Sequence, residues 1–259
     1  MINTKMAVVL KLLFLTGVLL SMHSCTKTEP LIFIEKPIAI DDFFDCETTD
    51  CVVTEIILLQ CIQDTEIAVK ANFEIERAAS SLLNIDDDTS VLTLEESLRQ
   101  FNVSYQEMKE EFPEEIIPYE VRIHTNLSFQ NKDILSIGID SYIFTGGAHG
   151  SESKIFSIID PKTGKSMPIS SLLKAYDPFV EFAEKEFKKT QGIPETETIN
   201  STGFSFEEDK FALPSTIGIT DQNIILFYNQ YEISSFAEGP VELKIPKEKG
   251  ALFFVVDIL

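Results

Sequence analysis

The chain has 259 residues, with 21 Lys and Arg against 42 Asp and Glu and a formal net charge of −21 at neutral pH. That balance argues against a nucleic-acid partner, whose phosphates need a basic footprint, and against adsorption on anionic lipid. A hydrophobic share of 44% with 20 Phe supplies a substantial core and argues against global disorder.

Lys5 and Lys11 flank the apolar run Leu12 to Leu20, and Ser21 to Ser24 lead into Cys25. A basic start, a short apolar stretch and a small residue at the cleavage point are the pattern of a secretory signal. The run is too short to cross a hydrocarbon layer about 30 Å thick. With a Cys placed directly after Ser24, residues 1–24 read as a lipoprotein signal peptide and Cys25 as the acylated first residue, although Met22 and His23 depart from the usual lipobox. Two acyl chains anchor durably where one is marginal. The expected location is the bacterial cell envelope, exported and lipid-anchored, on the periplasmic or outer-surface side. Loss of Lys5 and Lys11 takes the charge from −21 to −23.

Residues 25–45, with Pro30, Pro37 and the acidic Asp41, Asp42 and Asp45, read as a tether, within which Leu31 to Ile34 could form an edge strand. Cys46 and Cys51 can close a small disulfide loop in an exported chain. Cys61 is expected as a buried thiol, and a Cys51–Cys61 bridge stays open. A zinc site is not expected, because no His lies near these cysteines.

Val52 to Leu59 is apolar and β-branched, as in a strand. Ile67, Ala71, Ile75, Ala78 and Leu82 recur at helical spacing. After an acidic break at 84–90, Thr93 and Glu96 form a capping box. It opens a helix whose apolar stripe is Leu94, Leu98, Phe101, Tyr105, Met108 and Phe112, stopped by Pro113.

From Tyr119 the period becomes two. Val121, Ile123, Thr125, Leu127 and Phe129 alternate with Arg122, His124, Asn126, Ser128 and Gln130, which predicts a half-buried antiparallel strand. Asn131 to Asp133 turns it into Ile134 to Phe144. Further on, Phe179, Phe182, Ala183 and Phe187 predict a helix over 176–189, and 190–203 reads as a mobile loop. Hairpin strands follow at 216–219 and 224–228, then 241–245, with a final apolar strand at 252–258. The fold class is α+β: antiparallel sheets built from hairpins, with helices packed on one side, in two closely associated subdomains.

Two stretches have a specific texture: Ser141 to Leu173, with Thr145-Gly146-Gly147-Ala148-His149 between strands, and Ile224 to Pro246, with its Phe-Tyr-Asn-Gln-Tyr run. They resemble the domain of unknown function DUF3298, usually preceded by a DUF4163-type domain. Relatives include the lysozyme-sensing anti-sigma factors of the RsiV family and the accessory part of some peptidoglycan deacetylases. The resemblance implies a DUF4163-like domain over 46–148 and a DUF3298-like domain over 149–259. It also implies that the deacetylases' metal-binding residues lie on a separate domain absent from this chain.

The residues themselves offer little catalytic chemistry. No G-x-S-x-G elbow, H-E-x-x-H pair or phosphate loop is present, and no cofactor or metal is expected. His124 lies on the polar face of its strand and reads as a surface residue. His149, between glycines that let a partner approach closely, is the more suggestive. The expected function is non-catalytic binding of a basic protein such as lysozyme, or of a cell-wall component. The candidate ligand-binding residues are Gly146, Gly147, His149, Phe236 and Glu238. The alternative is an envelope hydrolase using carboxylates with His149, for which Asp140, His149 and Asp160 would have to converge.

Overall fold

The computed structural model describes residues 29–47, 50–84, 93–113 and 117–259. The signal segment, Cys25 and most of the acidic break lie outside the described residues.

Among the described residues, eight strands form two sheets. The larger has the order β1 (Phe33–Ile38), β2 (Val53–Cys61), β3 (Glu120–Gln130), β4 (Leu135–Phe144), β5 (Ser151–Ile159). All its neighbours are antiparallel except β2 and β3. The smaller sheet is an antiparallel meander of β6 (Ile217–Ile219), β7 (Asn223–Tyr228) and β8 (Val241–Pro246). The parallel pair is joined by two helices, α1 (Glu66–Ser80) and α2 (Leu94–Glu111), as a parallel connection requires. Both helices lie on one face of the larger sheet. The third, α3 (Tyr176–Gln191), packs on the smaller sheet.

Local chemistry sets the boundaries. Thr65 and Thr93 cap α1 and α2, the second through a complete box with Glu96, which satisfies N–H groups the first turn leaves open. The β3–β4 turn is held by the Asn131 side chain, whose Oδ1 accepts from the N–H groups of Asp133 and Ile134. Period two then separates two faces. Val121, Ile123, Leu135, Ile137 and Ile139 turn toward α1 and α2 and join Ala71, Ile75, Leu98 and Phe101 in one aliphatic-rich core. Leu127 breaks the expected series and is 42% exposed. A bulge between Leu127 and Phe129 shifts the alternation by one, so Phe129 passes to the opposite face, under the Lys247 ammonium at 3.8 Å.

On that opposite face the smaller sheet lands. Gly218 on β6 sits on the Phe156 ring, with no room for a Cβ, and the Ile219 N–H donates to Ser136 Oγ at 3.0 Å. A second core, rich in Phe179, Phe187, Phe206, Phe211, Tyr228 and Phe254, lies between the smaller sheet and α3. The Tyr228 hydroxyl donates to Ala212 O, and burial pushes it well above the usual phenol range.

The outer edge of β5 is closed by side chains. Asn229 Oδ1 accepts from the Lys154 N–H, its Nδ2 donates to Lys154 O, and Thr216 Oγ1 accepts from the Phe156 N–H. Two expectations change. Residues 252–258 form a 3-10 turn and a single bridge from Phe254 to Leu173 rather than a strand. The segment 190–203 is folded onto the body: Ile193 and Ile199 are buried and the Asn200 side chain bonds the Phe206 backbone twice. Among the described residues no helix is long and apolar enough to cross a membrane.

Candidate functional site

The smaller sheet covers only part of the larger one. Where its cover stops, two cross-strand rows of side chains are left open. The outer row runs Glu55, Arg122, Tyr142, Glu152 across β2 to β5, and the inner row runs Ile57, His124, Asp140, Lys154. Their side chains, with Phe227 and Pro240 from the smaller sheet as an overhang, line a groove of about 580 Å³. That is within the range of small-ligand sites.

The groove is ordered by its own contacts. Lys154 pairs with Asp140 at 3.0 Å, and Asn126 Nδ2 donates to the other Asp140 oxygen at 3.3 Å. Asn126 has room because Gly138 is its cross-strand neighbour. The Arg122 guanidinium lies 4.2 Å from the Tyr142 ring centroid, and its Nε faces Glu120 at 3.2 Å. His124, the cross-strand neighbour of Asp140, lies 3.9 Å from Glu35. Among the described residues, Glu55 and Glu152 have no basic partner.

One end of the groove is rimmed by aromatic rings. Gly150 lies against the Tyr142 ring, where any side chain would collide. The preceding residue, His149, stacks on Phe236 with centroids 4.1 Å apart and planes at 18°. Phe236 stacks in turn on Tyr231 at 5.7 Å and 30°. Tyr231 is 68% exposed and holds a left-handed φ of 66°, uncommon for a bulky residue. It lies within the turn in which the Asn229 N–H donates to the Glu232 carboxylate at 2.9 Å. Partial burial pushes the Glu232 carboxyl above its usual range, against the lowering effect of that bond.

The two loops singled out by sequence therefore meet through His149 and Phe236. Gly146 and Gly147, with φ of 95° and 87°, do not join them. They line a separate hollow of about 300 Å³ with Met108, Phe112, Ile117 and Tyr119. The expected stripe of α2 opens there: Met108 and Phe112 are exposed, not buried. Glu238 turns back to cap the Ser235 N–H and hydroxyl. Cys46 and Cys51 are bonded in a loop pinned to α2 through contacts of Asp50 with Gln106 and Lys109. Cys61 is a buried thiol that donates to Gln63 Oε1.

Asp140, His149 and Asp160 do not converge. His149 precedes β5 and Asp160 follows it, so the nine-residue strand separates them by roughly 30 Å. Asp160 is engaged in its own turn, accepting from Lys162 N and Thr163 Oγ1. No cluster of three or more His, Cys, Asp or Glu suited to a metal occurs among the described residues. Sequence reasoning assigned Arg122 and His124 to a polar face but missed the groove and Tyr231. The groove needs the register of four strands, and no local signal carries that.

Residues 170–248 match the family model described as a protein of unknown function, DUF3298, and residues 46–152 match the model described as deacetylase PdaC. No curated protein sequence matches the chain. Among solved structures, a DUF3298 family member from Bacteroides fragilis superposes with a TM-score of 0.59 at 16% identity, over 88% of this chain and 93% of its own. A DUF3298 family protein from Pseudomonas aeruginosa PAO1 gives 0.56 at 18% identity, over 88% and 95%. At such identities the likeness is one of fold.

Proposed function

We propose that the protein is a lipid-anchored binding protein of the bacterial cell envelope, held by Cys25, which recognises a basic protein such as lysozyme, or a cell-wall component, without turning it over. The observation that carries the reading is the stack of His149 on Phe236. It turns two separate loops into one partly exposed aromatic surface, extended by Tyr231, on a strongly acidic protein. Acidity steers a cationic partner toward the surface, and aromatic anchors supply the interface energy that charge alone does not. The DUF3298 match supports kinship with envelope sensors of the RsiV type and a DUF4163-like first unit. The hydrolytic alternative draws no support from Asp140, His149 and Asp160, which stand apart.

The test is binding of the chain to lysozyme and to an unrelated protein of equal positive charge. Lysozyme should bind at least about tenfold more tightly, and Phe236→Ala or Tyr231→Ala should remove most of that margin, as expected of hot-spot residues worth about 2 kcal/mol. Equal affinity for both proteins, unmoved by either substitution, would reduce the proposal to non-specific attraction. Mass spectrometry of the exported protein checks the anchor: a lipid-modified chain should begin at Cys25, and an unmodified chain beginning elsewhere would remove it.

A further inference from the structure

The open groove has a charge order that the aromatic rim does not explain. Its outer row presents Glu55, Arg122 with Tyr142, and Glu152 on adjacent strands. In order, that is negative, positive, negative. Glu120 approaches Arg122 at Nε, 3.2 Å away, and among the described residues the terminal guanidinium nitrogens, which line the groove, make no hydrogen bond. The cation is held in place by the Tyr142 ring beneath it, and Tyr142 is fixed against Gly150. In the inner row the Lys154 charge is spent on Asp140, and Ile57, Phe227 and Pro240 add apolar surface. The two unpaired carboxylates stand at opposite ends of the row, three strand spacings or about 14 Å apart at their backbones.

We infer that this groove is a binding site for an extended peptide segment with the complementary order of charges: ammonium, carboxylate, ammonium. The central carboxylate pairs with the free amino groups of Arg122, in the two-pronged geometry that guanidinium favours. The flanking ammonium groups meet Glu55 and Glu152. The peptide lies across the strands, with its aliphatic stems on Ile57 and under Phe227. A tripeptide rising about 3.3 Å per residue and ending in a lysine side chain spans the required distance. This site is additional to the aromatic surface proposed above for a basic partner, and each stands without the other.

The probe is the tripeptide amide Ala-Glu-Lys, whose charges run positive, negative, positive. It is titrated into the full chain by calorimetry, with amide chemical shifts of β2 to β5 as a second readout. Two comparison peptides accompany it: Ala-Gln-Lys amide, without the carboxylate, and acetyl-Glu-Lys-Lys amide, with the same charges in another order. The first peptide should bind at least about tenfold more tightly than either comparison, and Arg122→Ala and Glu55→Gln should each cost it at least about fivefold. Both positions are solvent-facing, so the melting temperature should stay unchanged and report an intact fold. Phe236→Ala should leave peptide binding intact, and Arg122→Ala should leave lysozyme binding intact, which separates failure of one site from failure of the other. No binding at millimolar peptide, or equal binding of all three peptides, would overturn the inference.

Discussion

One face of one sheet obeys two rules. Where β6 crosses β4 and β5, that face carries Ser136, Gly138, Phe156 and Ile158, small or apolar residues that admit a second layer. One or two rows further along the same strands it carries Asp140, Tyr142, Glu152 and Lys154, and the second layer only overhangs it through Phe227 and Pro240. The strand alternation is identical in both places. The difference lies in which residue occupies the outward position, and it converts a packing surface into a groove. A polar outward position in a strand is therefore informative only together with its cross-strand neighbours.

The comparison can be broken by substitution. The opposite, helix-packed face sets the scale: Ile137, fully buried under α1 and α2, should lose about 2–5 kcal/mol on replacement by Ala, through lost transfer energy and the cavity left behind. Chemical denaturation measures it, and a loss below about 1 kcal/mol would mean that the aliphatic core is not continuous. Ser136→Ala tests the covered part of the contrasting face. Its hydroxyl is the acceptor for the buried Ile219 N–H, so the variant should lose about 1–3 kcal/mol. A neutral result would show that the two sheets are not coupled there.

The smallest effect belongs to Glu232, beside the rim. Its carboxyl is held above the usual range by partial burial, so the folded state binds the proton more readily than the unfolded chain does. Stability from this group is therefore gained as pH falls through the raised value, and is absent at neutral pH. Glu232→Gln keeps an acceptor for the Asn229 N–H while removing the titration. The melting temperature of the native chain should rise relative to that of the variant between pH of about 7 and about 4. Parallel curves would remove the burial argument.

Much of this architecture is legible in sequence because its signals are local. The Thr93–Glu96 box, the Asn131 turn and the alternation of β3 each act within a few residues, and the helices and the β3–β4 hairpin follow from them. Three features are not local. Pairing of β2 with β3 joins residues more than sixty positions apart. The bulge that sends Phe129 to the opposite face has no composition of its own. The stack of His149 on Phe236 depends on both loops closing before either ring has a neighbour. The candidate site inherits this division: its loops could be named in advance, while the groove beside them required four strands in register.

The edges of the larger sheet differ as well. Along β5, Asn229 and Thr216 occupy the outward N–H and C=O of Lys154 and the N–H of Phe156, so a foreign strand finds the middle of that border taken. Along β1, the Ile32 carbonyl accepts from Ile62. By alternation Phe33, Glu35 and Pro37 then turn their backbone groups away from the sheet, and Pro37 has no N–H to offer. One border is capped in its middle by side chains and the other is interrupted midway by Pro37. Where copies of a protein meet sideways at high local concentration, an unbroken strand border would template edge-to-edge polymerisation. Both borders of the larger sheet thus disfavour edge-to-edge pairing of neighbouring copies.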